Sequence, residues 1–90
     1  MRRAAKRDNA EGPILAALAR AGCRVAPLSG PGVPDLLVGT RDYRLVLLEV
    51  KTGRAKRTPL QEQFHALWAC YPVHTVRTPA EALAAVKGTK

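Results

Sequence analysis

The run Leu45-Val46-Leu47-Leu48-Glu49-Val50-Lys51 constrains the fold of this chain more than any other segment. It is nearly all apolar, rich in strand formers and bounded by turn signals, which reads as a β-strand. So continuous an apolar run suits a central strand covered on both faces. Yet it carries two charged residues. On a strand, Glu49 and Lys51 emerge from one face while Leu48 and Val50 point the other way. A strand of this buried type that ends in Glu-Val-Lys is costly unless the charges are paired, solvated or bound to a metal.

The rest of the chain can be placed around that strand. Glu11 to Ala21 carries Ile14, Leu15 and Leu18 on one helical face, and Gly22 is a natural stop. Pro13 is tolerated only in a first turn, so the helix begins close to Asn9 or Ala10, or has Glu11 at its very edge. Cys23 to Ala26 is a short strand ending before Pro27. A loop dense in Gly and Pro, Leu28 to Asp35, feeds a third apolar run, Leu36-Leu37-Val38, and the turn Gly39 to Arg44 leads into the central strand. Beyond it, Thr52 to Thr58 is a basic loop. Thr58-Pro59-Leu60-Gln61 then opens a helix running to about Cys70, with Thr as cap, Pro in the first position and Gln in the third. Pro72 precedes a strand from Val73 to Arg77, and Thr78-Pro79-Ala80-Glu81 repeats the capping logic for a last helix through Val86. Phe64, Leu67 and Trp68 form an apolar stripe on the middle helix, read first as core and second as a dimer interface. The element order is helix, three strands, helix, strand, helix, in one domain over residues 9–87, with a basic leader at 1–8 and a tail at 88–90.

Size and charge limit what such a domain does. With 90 residues it has no room for a second domain or a large enclosed pocket. Fifteen Lys or Arg against seven Asp or Glu give a net charge of +8, which calls for an anionic partner, nucleic acid or an acidic membrane surface. No segment approaches the roughly 18 consecutive apolar residues of a membrane span. The start, Met1 to Lys6, leads into Arg7-Asp8-Asn9 rather than an apolar core, so no signal peptide is expected. Cys23 and Cys70 fit neither a disulfide framework nor a paired-thiolate zinc site, and are expected to be reduced thiols of a cytoplasmic protein.

Against this background the charged end of the central strand acquires meaning. Antiparallel pairing through the Gly39 to Arg44 turn brings the region of Asp35 alongside that of Glu49. Two carboxylates with adjacent backbone carbonyls make a hard oxygen site suited to Mg²⁺ or Mn²⁺. A lysine beside them can orient or activate water, or neutralise charge developing on a phosphate. Taken singly, Asp35 is an ordinary turn residue after Pro34, and Glu49 and Lys51 an ordinary strand edge. Together they describe metal-assisted phosphodiester hydrolysis.

At this point the sequence resembles the restriction-endonuclease-like superfamily, whose pattern is Pro-Asp and then, after a strand-turn-strand interval, Glu-x-Lys. Here it stands as Pro34-Asp35 and Glu49-Val50-Lys51. The fuller string Gly32-Val33-Pro34-Asp35-Leu36-Leu37-Val38, with Leu48-Glu49-Val50-Lys51 and the Thr58-Pro59-Leu60-Gln61-Glu62-Gln63 helix start, is similar to the small stand-alone VRR-NUC nucleases, over about Asn9 to Val86. The resemblance implies an α/β core in the order α-β-β-β-α-β-α, with a central mixed sheet flanked by helices. It implies Asp35 and Glu49 as metal ligands, the Val50 carbonyl as another, Glu11 as an acidic residue joining from the first helix, Lys51 as the catalytic lysine and Gln61 as a supporting residue. It further implies a divalent-metal-dependent DNA endonuclease, selective for branched DNA such as four-way junctions, working as a homodimer. The family's Val-Arg-Arg element appears here as Val76-Arg77-Thr78, so Arg77 is carried over and a second arginine is not.

The residues around the motif have readings of their own. Gln61 completes a capping box with Thr58, and lies where a helix's positive end favours a phosphate oxygen. Arg54, Lys56 and Arg57 follow the catalytic strand and can grip a phosphate backbone, with Arg2, Arg3, Lys6 and Arg7 as a second anchor. His65, four residues on from Gln61 on the same face, could approach a phosphate but has no obvious partner and is read as structural, and His74 shows no metal-ligand spacing. The alternative to an enzyme is a non-catalytic nucleic-acid binding module that uses the basic loop alone.

Overall fold

The computed structural model describes residues 9–87; the basic leader, its proposed anchor residues and the tail lie outside them. Within that span the elements are α1 (Glu11–Arg20), β1 (Arg24–Pro27), β2 (Leu36–Gly39), β3 (Leu45–Val50), α2 (Pro59–Leu67), β4 (Val73–Val76) and α3 (Pro79–Lys87). The expected order holds.

One sheet, in the order β1-β2-β3-β4, organises the domain. The β1–β2 and β2–β3 pairs are antiparallel, and β4 runs parallel to β3. Since a parallel return needs a crossover, α2 is the connection between β3 and β4. This is the central mixed sheet flanked by helices of a restriction-endonuclease-like core, as expected. β3 lies between β2 and β4 and every residue of it but Leu45 and Leu47 is buried, which is why its sequence is apolar almost throughout.

Alternation along the strands divides the sheet into two unlike faces. On one, Leu36, Val38, Val46, Leu48, Val50 and Val76 are buried with Ile14 and Leu18 of α1 and Ala82 and Val86 of α3. α1 and α3 pack against each other over this face. The opposite face carries Leu37, Leu47 and Glu49, and α2 has no buried residue at all. The Phe64, Leu67 and Trp68 stripe is therefore not core: Leu67 is 82% exposed and Trp68 37%. Core was the first reading of that stripe, and it is corrected here. The α1–α3 side already supplies a closed apolar layer, so α2 has no such layer to fill.

Element ends follow their caps. α1 begins at Glu11, with Pro13 inside its first turn where its missing N–H costs nothing. It ends in a Schellman motif, Gly22 N–H to Ala19 O and Cys23 N–H to Leu18 O, with Gly22 at φ 83°. α2 stops at Leu67, three residues before the expected end. Pro72 disfavours helical backbone at Tyr71, and the chain turns through Tyr71 N–H to Trp68 O instead. β1 extends to Pro27, which an edge strand tolerates. Cys23 and Cys70 are free thiols.

Candidate active site

Asp35 stands one residue before β2 and Glu49 one residue before the end of β3. The ladder pairs Leu36 with Leu48, so positions 35 and 49 come next in the same antiparallel register. Cross-strand neighbours of this kind have Cβ atoms only about 5 Å apart. Asp35 also continues the pairing with its side chain: its Oδ2 accepts the Val50 N–H at 2.7 Å. The carboxylate thus fixes the end of β3 and is itself fixed there.

Glu49 is the most deeply buried charged residue among those described, 1% exposed. A carboxylate in that position needs partners. Gln61 supplies one, its Nε2 donating to Glu49 Oε2 at 2.9 Å. The same Gln61 closes the capping box: its Oε1 accepts the Thr58 N–H at 2.8 Å and its N–H donates to Thr58 Oγ1 at 3.2 Å. Capping and site support were separate readings of Gln61. One amide performs both, because its oxygen serves the helix end and its nitrogen reaches the strand.

The loop before Asp35 is pressed against that helix start. Gly32 has φ 76°, and a Cβ there would lie 2.7 Å from Leu60 O and 2.8 Å from Leu60 C. Only glycine allows this approach. It brings the Pro34-Asp35 loop and the first turn of α2 together, so the loop and the turn that carry Asp35 and Gln61 share one rigid contact. Sequence reasoning passed over Gly32 as one of several loop glycines; its clash with a backbone carbonyl is visible only in three dimensions.

Lys51 follows Val50 directly and is half-buried, with its N–H donating to Val76 O at 3.0 Å. The ladder with β4 therefore continues past the strand's formal end. In that ladder Glu49 pairs with Thr75, whose Oγ1 is buried without a hydrogen-bond partner among the described residues.

Beyond Lys51 the basic loop is partly tied down. Arg77 Nη1 donates to Gly53 O at 2.9 Å and Ala55 O at 2.7 Å, so Arg77 braces the loop from β4. Arg57 donates through Nη1 to His65 Nδ1 at 2.6 Å and pairs through Nη2 with Glu62 at 3.0 Å. An arginine only donates, so Nδ1 of His65 is the acceptor and the neutral ring carries its proton on Nε2. Burial, together with the Arg57 charge, lowers the His65 pKa from its ordinary value of 6.5, against the opposing pull of Glu62. Arg57 was the partner that the sequence did not reveal for His65, since a contact between a loop and the last turn of a helix has no spacing signature. Arg54 and Lys56 are exposed, and neither forms an ion pair among the described residues. Lys56, Arg57, His74, Thr75 and Arg77 line a polar depression of about 440 Å³ beside the strand end.

Glu11 is buried in the first turn of α1. Among the described residues, no group of three or more His, Cys, Asp or Glu side chains is placed to hold a metal ion, so Glu11 does not form a three-carboxylate cluster with Asp35 and Glu49. The donor set that remains is the Asp35 and Glu49 carboxylates with the Val50 carbonyl beside them. That set suits a hard divalent ion such as Mg²⁺, which is typically held by one or two carboxylates and keeps several waters.

A solved structure described as a VRR_NUC domain matches this fold with a TM-score of 0.76, at 22% sequence identity, covering 90% of this chain and 94% of that one. Identity at that level speaks for a shared fold. No protein-family model matches the chain, and neither does any curated protein.

Proposed function

We propose that this protein is a divalent-metal-dependent DNA endonuclease that hydrolyses phosphodiester bonds and favours branched DNA. The observation that carries this reading is the juxtaposition of Asp35 and Glu49 at the end of the β2–β3 pair, with Glu49 buried and held by Gln61. A carboxylate buried only for stability would be an expensive choice, because apolar residues of similar volume would cost less. Asp35, Glu49 and the Val50 carbonyl would hold Mg²⁺ or Mn²⁺. When bound, the ion supplies Lewis-acid activation of water and of a phosphoryl oxygen.

The chain's own residues do the remaining work. Gln61 orients Glu49 through its amide nitrogen. Lys51, two residues on from Glu49 along the same strand direction, would position the attacking water and offset charge developing on the phosphate. Arg54 and Lys56 contact the DNA backbone on one side of the cut, while Arg57 and Arg77 hold the loop that presents them. Such contacts position a duplex without reading its sequence.

The exposed end of α2 supports a homodimer. Phe64 stacks on Trp68 at 5.2 Å between ring centroids, and Tyr71 meets Trp68 at 5.1 Å with its ring tilted by 51°, beside exposed Leu67. Aromatic surface of this extent is characteristic of contact patches. A two-fold dimer with one site in each subunit would make paired incisions across a junction.

The test is cleavage of an end-labelled four-way junction and its matched linear duplex, with Mg²⁺, Mn²⁺ or EDTA. Metal-dependent incision, faster on the junction, is the expected result. Tight, salt-sensitive binding without incision under any metal condition would replace the enzyme with a non-catalytic binding module.

A further inference from the structure

Far from the carboxylates, at the other end of β3, the hairpin joining β2 to β3 holds a tyrosine where turn chemistry does not ask for one. Tyr43 has φ 68°, left-handed backbone that bulky residues rarely adopt. Gly, Asn or Asp is the ordinary occupant of such a turn position. The Tyr43 side chain is also the most exposed large apolar group described, at 96%. It gains nothing from packing.

The turn beneath it is nonetheless firmly built. Thr40 N–H donates to Arg44 O at 2.8 Å, Tyr43 N–H to Thr40 O at 3.0 Å, and Arg44 N–H to Thr40 Oγ1 at 2.9 Å. Asp42 accepts from Thr40 Oγ1 at 2.5 Å and from Arg44 Nε at 2.9 Å, and Arg44 Nη2 reaches Val86 O at 2.6 Å. A rigid support therefore presents a solvent-facing ring.

Next to the ring lies a depression of about 470 Å³, lined by Arg24, Gly39, Arg41, Tyr43 and Leu45 among others. The register places Arg24 opposite Gly39 and Gly39 opposite Leu45, so these three form one row across the sheet. Glycine in the middle leaves the floor bare: a Cβ on Gly39 would meet only Arg24 Cβ, at 3.9 Å. Arg24 and Arg41 are exposed and make no ion pair among the described residues. A flat-floored notch with an aromatic lip, an apolar wall and two uncommitted guanidinium groups matches one chemistry well. It is a planar, π-faced group attached to a polyanion.

We infer that this notch receives an unpaired nucleobase of a DNA strand, stacked on Tyr43, with its flanking phosphates held by Arg24 and Arg41. The inference rests on the nuclease reading and adds to it a device for recognising single-stranded character. Leu45 and Glu49 share a sheet face, and the strand between them spans about 13 Å. That is about four base pairs of duplex at 3.4 Å each. A fork whose unpaired arm begins about four base pairs from the cut would therefore place a base in the notch, which gives a physical basis for preferring forked over linear DNA.

The experiment measures binding of the whole protein, in EDTA, to a fork with one unpaired arm and to a blunt duplex of equal length. 2-Aminopurine in the unpaired arm reports stacking. Tyr43→Asn suits the left-handed backbone better than tyrosine does, so it should melt at or above the wild-type temperature. It is expected to weaken fork binding about tenfold and to abolish 2-aminopurine quenching, while duplex binding changes by less than about twofold. Tyr43→Phe keeps the ring and should behave as wild type. Equal fork affinity of wild type and Tyr43→Asn would overturn the inference while leaving the nuclease reading intact. So would loss of a wild-type dimer in Tyr43→Asn, which would assign the notch to contact between copies. A wild-type protein that binds neither DNA would remove the nucleic-acid reading and this inference with it.

Discussion

Replacing Asp35 separates two jobs that the structure gives to one carboxylate. Its Oδ2 accepts the Val50 N–H at 2.7 Å, and Val50 is fully buried. Alanine removes that acceptor and leaves a backbone donor at the end of β3 without its partner. A hydrogen bond to a charged group contributes about 1.5–3 kcal/mol, and an orphaned buried donor costs a similar amount. Because the Asp35 bond is only partly buried, about 2 kcal/mol is the reasonable figure. For a domain of this length that corresponds to a fall in Tm of roughly 8–16 °C. Asparagine keeps an oxygen in the same place and removes one of two neighbouring like charges, so Asp35→Asn should melt near wild type. Both variants should lose cleavage, since neither retains the charged ligand. Thermal unfolding followed by circular dichroism, beside cleavage of labelled DNA, reads both quantities. An Asp35→Ala protein that melts with wild type would refute the strand-end role. An Asp35→Asn protein that cuts at the wild-type rate would refute the metal role.

Other positions give equally definite expectations. Gly32→Ala should lose roughly 2 kcal/mol, because its Cβ would press on the Leu60 carbonyl in left-handed backbone; cleavage should fall with it as the Gln61 turn is displaced, and unchanged melting would mean that the loop and α2 are not in contact. Since the folded-state pKa of His65 is lowered, its neutral form is favoured by folding: this contribution is complete above about pH 6.5 and is lost as pH falls through the lowered value. His65→Gln should therefore lose less stability than wild type between about pH 7 and pH 5 in denaturant titrations, and identical slopes would count against the Arg57–His65 contact. Neutralising Arg54 and Lys56 together should reduce the slope of log affinity against log salt by about 1.8, uniformly across DNA sequences. A slope that did not move would place the backbone contacts elsewhere.

Much of this architecture was legible in the sequence, for reasons that can be stated residue by residue. The Leu45–Val50 strand announced itself because four of its six side chains are buried, which demands a nearly continuous apolar run, and α2 because Thr58, Pro59 and Gln61 each satisfy a requirement of a helix start. Asp35 and Glu49 were brought together by register alone, since one turn fixes which residues lie opposite. What could not be read depended on contacts with no sequence period. The apolar stripe on α2 resembles a core stripe whether or not a layer awaits it, and the burial of α1 and α3 on the far face decided the matter. The Arg57–His65 pair, the brace from Arg77 to the loop carbonyls and the Gly32–Leu60 approach each join segments through space. Tyr43 was hidden because a tyrosine in a turn looks incidental until its backbone angle and exposure are known.

The central claim is that Glu49 is buried for chemistry rather than for folding, and one rate measurement tests it most directly. Single-turnover cleavage of branched DNA would be followed as Mg²⁺ is titrated, for wild type and for Glu49→Gln, with folding of both checked by circular dichroism. The amide of Glu49→Gln can still bond Gln61, so the fold is expected to persist while Mg²⁺-dependent incision falls by at least about a hundredfold. A folded Glu49→Gln protein that cuts at the wild-type rate, with the same Mg²⁺ dependence, would contradict the account.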